Sequence, residues 1–211
     1  MSQLILIALG TTMIFVSATS RVEGYVKALA VQGALLFLLV LARAAELDAA
    51  SLVFLAVETL GVKTIAVPLL LMKTVRRHEI SRDSSPSAPS FWPTAVSCGI
   101  LAAGLAAGVL ASRREWQVDA LYFGVSLSII LASLAVIVTR KKIITHILGY
   151  MTLENGVFLL STAVATEMPL IVDLGVLLDV FVGIYVLAAF FDRIRAIATA
   201  GDIDELSSLK D

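Results

Sequence analysis

ALYFGVSLSIILASLAVIVT, residues 120–139, holds no charged residue in twenty positions. A helix of about 20 residues at ~1.5 Å per residue is ~30 Å long, the thickness of a bilayer's hydrocarbon core. Inside lipid the backbone amides and carbonyls find no water, so a spanning segment of this length must satisfy them as a helix. Asp119 stands before the stretch and Arg140-Lys141-Lys142 after it, so both ends are polar. The same pattern recurs along the chain and places helices at 2–19, 24–42, 49–73, 94–112, 118–139, 142–165 and 168–191. The fold class is therefore all-α: a polytopic membrane protein with about seven transmembrane helices.

Composition agrees. Of 211 residues, 59% are hydrophobic and 16% charged, whereas a soluble domain carries about 25% charged residues. The formal net charge of -1 gives no electrostatic footprint for nucleic acid. The single cysteine, Cys98, lies in an apolar run and can form neither an internal disulfide nor an iron–sulfur site. The first apolar run follows Met1 with no basic segment ahead of it. The small residues near Ser17 to Ser20 match a cleavage site only weakly, so this run is read as a retained helix.

One connection is long. Residues 76–93, RRHEISRDSSPSAPSFWP, form a polar Ser/Pro-rich linker between a three-helix part (1–75) and a four-helix part (94–195), with a tail at 196–211. Basic residues near helix ends set orientation. Arg21, Lys27, Lys73, Arg76, Arg77, Arg82, Arg140, Lys141, Lys142, Arg193, Arg195 and Lys210 fall on one side; Arg43, Arg113 and Arg114 fall on the other. This bias puts the N-terminus outside, with the linker and C-terminus in the cytoplasm. Trp92 and Trp116 fall at opposite helix ends, as interfacial aromatics do. Spans one to three and five to seven then share one orientation. Gly24-Tyr25 and Gln32-Gly33 in the second span resemble Gly149-Tyr150 and Asn155-Gly156 in the sixth, a pattern compatible with a parallel duplication.

Four ionisable residues stand near the middle of expected spans: Glu58 and Lys63 in the third, Glu154 in the sixth and Asp179 in the seventh. A central Asp or Lys costs roughly 2.5–3.5 kcal/mol on insertion, and four unpaired charges on the order of 10 kcal/mol. These groups must be paired, neutral or next to internal water. Two readings stay open. One is a structural lock, with Lys63 bridging Glu58 or Glu154. The other is a proton relay, because one lysine cannot neutralise three carboxylates, and a carboxyl poised between charged and neutral forms can pass protons. Glu58 and Lys63 are five residues apart, about 140° around an α-helix, so each is expected to face a different neighbour. Pro68 cannot donate to the carbonyl of Thr64, which fits either a wet seam or an ordinary membrane proline. His146, Tyr150 and Glu154 recur at i, i+4, i+8 and would form a polar ladder from the cytoplasmic side to mid-depth. Gly175, Asp179 and Gly183 share a stripe that admits another helix, and Gly104 with Gly108 reads as a packing face.

Residues 140–164, RKKIITHILGYMTLENGVFLLSTAV, with 172–194, VDLGVLLDVFVGIYVLAAFFDRI, the tail DIDELSSLK (202–210) and GVKTIAVPL (61–69), resemble the hydrogenase-4 component E family (HyfE) over nearly the whole chain. Members are membrane subunits of formate-hydrogenlyase-type and related group 4 nickel–iron hydrogenases. The C-terminal three helices are similar to the NuoK-type subunit of respiratory complex I and the MrpC subunit of multi-subunit sodium/proton antiporters. Glu154 falls where the NuoK type carries its first central glutamate. Asp179 falls near the second, as aspartate. Lys63 stands as the family has it, while Glu58 belongs to no family motif.

The resemblance implies a multi-pass protein of the cytoplasmic (inner) membrane, a non-catalytic subunit of a complex I-like oxidoreductase. The partners it implies are antiporter-like membrane subunits, a membrane anchor subunit and a hydrogenase-type peripheral arm. The nickel–iron centre and iron–sulfur clusters would sit in those partners, with no cofactor in this chain. Its relay residues would be Glu154, Asp179 and Lys63, with Glu58 and His146 added from their positions. The competing readings are a subunit of a cation/proton antiporter and a scaffold that only holds its neighbours.

Overall fold

The computed structural model describes residues 2–19, 21–45, 49–77, 91–113, 119–140 and 142–164. Its elements are all helical: α1 (Ser2–Ala18), α2 (Val22–Ala42), α3 (Ala49–Ala56), a π-helical segment (Val57–Ala66), α4 (Val67–Arg77), α5 (Phe91–Ser112), α6 (Ala120–Thr139) and α7 (Ile143–Val164). The expected seventh span (168–191) with Asp179, the tail 196–211 and linker residues 78–90 lie outside the described residues.

Among the described residues, α2, the rod of residues 49–73, α5 and α6 are long and apolar enough to cross a membrane. α3, the π segment and α4 run on from one another as the expected third span. The ends of the polar linker are helical: Arg76 and Arg77 close α4, and Phe91 to Pro93 open α5. Pro93 fits there because a first-turn amide has no intrahelical acceptor to lose. α6 starts where it does because the Asp119 carboxylate accepts from the amides of Leu121 (2.9 Å) and Tyr122 (3.2 Å), satisfying two donors that a helix start leaves without partners.

α1 packs against α2, α5 and α6, while α7 lies on α6 and α2; α2 also holds the π segment and α4. One apolar cluster joins Leu6, Leu9, Leu36, Ile129, Phe158 and Leu159, and a second joins Val16, Val26, Leu29, Leu71, Val136 and Leu148. The outer surface is apolar as well, with Leu4, Phe54, Leu69, Leu110 and Val138 exposed. Helices apolar all round suit lipid, not water.

Without a hydrophobic force between helices in lipid, close backbone approach and polar contacts must hold them. Gly104 and Gly108 of α5 meet α6 in this way. A Cβ on Gly104 would strike Ser128 Oγ and come within 2.7 Å of the Gly124 carbonyl, and one on Gly108 would strike the Ala120 carbonyl. Hydroxyls fold back on their own helices: Ser128 donates to Gly124 O (2.6 Å), Ser133 to Ile129 O (2.7 Å) and Thr152 to Leu148 O (2.9 Å).

Two arginines tie helix ends. Arg140 donates to the carbonyls of Ser17 (3.3 Å) and Thr19 (3.1 Å) at the end of α1. Arg43 donates to Thr162 O (2.7 Å) near the end of α7 and lies 4.6 Å over the Tyr122 ring. Each places a cation against helix C-terminal carbonyls, the negative end of the dipole. Arg43 therefore has a packing reason to stand at this helix end.

Candidate functional site

The third span departs from the α-helix where its charged residues stand. Over Val57–Ala66 the hydrogen bonds run from i+5 to i: the amide at Val67 donates to Val62 O, and the Thr64 hydroxyl donates to Thr59 O at 2.7 Å. Pro68 follows two residues after the segment ends. In a regular helix its ring would clash with the carbonyl four residues back, that of Thr64, and a wider turn moves that carbonyl aside. π segments are rare and frequently stand at functional sites.

This widening corrects the expectation that Glu58 and Lys63 face different neighbours. The 140° separation assumes α geometry; in an i+5 register, residues five apart stack on one face. Lys63 Nζ lies 3.6 Å from Glu58 Oε1, with side chains 10% and 4% exposed. At that distance the contact is an ion pair, not a hydrogen bond.

Lys63 also reaches α7, since its ammonium stands 5.0 Å from the centroid of the Phe158 ring, a favourable place for a desolvated cation. Phe158 is one turn beyond Glu154 on the same face of α7. That face carries, in order, His146 and Tyr150, both half-buried, then Glu154 and Phe158, both buried. The expected ladder is thus a single stripe of α7, with Lys63 at its deep end. The structure brings Lys63 to Glu58 and to Phe158, one turn beyond Glu154 on α7, while Asp179 lies outside the described residues.

Beside this group runs a hydrogen-bonded line across three helices. Gln32 of α2 is wholly buried. Its Nε2 donates to Thr12 Oγ1 of α1 (3.0 Å) and approaches Met13 Sδ (3.4 Å); its Oε1 accepts from Nδ2 of Asn155 on α7 (3.2 Å). Thr12 in turn donates to Leu9 O (2.6 Å). Sequence reasoning marked Gln32 and Asn155 only as matching positions of two similar helices, and it missed Thr12. A polar residue in mid-span was the signal that could have drawn attention to the pair. The neighbouring Gly33 admits the π segment: a Cβ there would lie 2.8 Å from Thr64 Oγ1 and 2.9 Å from the backbone at Lys63 and Thr64.

Acid, base and amide groups of three segments, α2, the π segment and α7, form a polar seam without a nucleophile–base pair. Among the described residues no three His, Cys, Asp or Glu side chains gather where a metal ion could sit. Among the described residues the elements are all helical, four of the spans are long and apolar enough to cross a membrane, and charged groups stand in the interior. No family model and no solved structure matches the chain. It is similar to a protein of Mycobacterium tuberculosis named Uncharacterized protein Rv0085, 26% identical over 187 residues, which covers 88% of this chain and 85% of that one.

Proposed function

We propose that this chain is a membrane-arm subunit of a complex I-like, hydrogenase-linked oxidoreductase of the cytoplasmic membrane, conducting protons along its buried seam. The observation that carries the reading is the Glu58–Lys63 pair, held in a π segment against the α7 face that bears Glu154. Lys63, Glu154 and Asp179 stand near mid-span on three different helices of the sequence, which favours a path parallel to the membrane, from one partner to the next. A carboxyl near a cation releases its proton while the cation is close and regains it when the cation is neutralised. Redox chemistry belongs to partner subunits: antiporter-like membrane chains, a membrane anchor, and a peripheral arm with a nickel–iron centre and iron–sulfur clusters.

A tagged chain extracted in mild detergent is expected to bring down long membrane proteins and a nickel-containing, hydrogen-oxidising arm. Recovery instead as a stable monomer that moves cations in liposomes sinks the subunit reading and favours an independent cation/proton transporter. The topology proposed is seven spans, N-terminus out and C-terminus in, from the bias of basic residues. Reporter fusions at the two termini should give opposite signals, and identical signals sink the seven-span count. The same ion pair also favours a structural lock, because each charge neutralises the other within one segment. Stability and transport must therefore be separated by mutation.

A further inference from the structure

The Gln32-Gly33 step of α2 touches both sides of the seam. Gly33 meets the π segment at Lys63 and Thr64, where a Cβ would lie 2.9 Å from the backbone. Gln32 meets α7 at Asn155, the residue next to Glu154. The direction of that hydrogen-bond line is fixed. Thr12 donates its only proton to Leu9 O, so toward Gln32 it can only accept. Gln32 must then turn its Nε2 to Thr12 and its Oε1 to Asn155, and Asn155 must donate. Flipping this amide alone would set its oxygen against the Thr12 acceptor and its Nε2 against the Asn155 donor, which is costly in a low-dielectric interior. A hydrogen bond at Asn155 fixes the rotation of α7 about its axis, and with it the direction of Glu154 one residue away.

We infer that Gln32 is a positioning residue: together with Gly33 it sets the separation between Lys63 on the π segment and Glu154 on α7. This deepens the relay reading and rests on it. The distance claim, however, can be measured without any transport.

The test places one spin label on each side of the seam, at exposed Leu60 of the π segment and part-exposed Leu160 of α7. Both are changed to Cys in the full chain with Cys98→Ser, since Cys98 is free and exposed. Gln32→Leu and Asn155→Leu remove the same bond from opposite ends. Each is expected to shift or broaden the label distance by about 1–2 Å, the scale of a helix rotation in its packing. Thr12→Ser keeps the hydroxyl that accepts from Gln32 and should hold the wild-type distance. In membrane vesicles carrying the complex, Gln32→Leu should lower hydrogen-driven proton uptake about tenfold or more, since misplacing a reacting group by ~1 Å costs up to ~10²-fold. Wild-type distances in both leucine variants overturn the inference, whatever transport does. A shifted distance with normal transport leaves Gln32 as a positioning residue and removes the relay reading.

Discussion

Lys63→Met is expected to destabilise the assembled protein by about 3–5 kcal/mol, the usual consequence of leaving one member of a buried ion pair without its partner. Glu58 is 4% exposed and 3.6 Å from the ammonium, so the substitution takes a neighbouring positive charge away from a buried carboxylate. The ammonium's contact with the Phe158 ring is lost as well. Lys63→Met/Glu58→Gln removes both charges and keeps similar volume, so most of the stability should return. Thermal melting of the detergent-extracted complex, with membrane abundance beside it, gives the coupling energy across the four proteins of the cycle. A Lys63→Met protein that melts like wild type shows that the pair holds nothing together. The double variant also separates the two readings of the seam. A lock needs only the neutral, filled interior, so transport recovers with stability. A relay needs the ionisable groups, so transport stays lost.

The second large effect is expected at Glu154. Glu154→Gln retains the shape and hydrogen-bonding capacity of the side chain but cannot carry a proton between charged and neutral states. On the proposed relay reading, assembly should be unchanged while proton uptake falls by about 10²-fold, the lower end of what a positioned acid–base group contributes. His146→Ala, at the half-buried end of the same stripe, should have a smaller effect, because its side chain is less buried than that of Glu154. Uptake and subunit content are to be measured on the same vesicles. Normal uptake in Glu154→Gln and in Asp179→Asn leaves the structural lock as the role of these residues.

Much of the architecture is legible without coordinates, because lipid narrows the choices. In lipid a predominantly apolar run of about twenty residues must be a helix, so the α2, α5 and α6 spans follow from hydropathy, within a few residues at their ends. The Gly104/Gly108 face is legible for the same reason: only missing side chains let backbones touch. The candidate residues Glu58, Lys63 and Glu154 are legible as a cost, since a charge in the middle of an apolar run is expensive to bury.

What could not be read from the chain is who faces whom. The assumption of 100° per residue set Glu58 and Lys63 apart, and a ten-residue π segment joined them. Pro68 hints at a departure from regular helix but does not give its register. Likewise Gln32 and Asn155 stand 123 residues apart and meet only because α2 packs on α7. The sequence by itself determined that this protein is a set of apolar helices with charges in their middles, because burial in lipid depends on each segment's own composition. Only the tertiary structure decided that one ammonium serves both Glu58 and the Phe158 ring, and that α2 stands between Lys63 and Asn155. Those contacts depend on helix rotation and on where glycines allow close approach, properties of the packed whole and of no single segment.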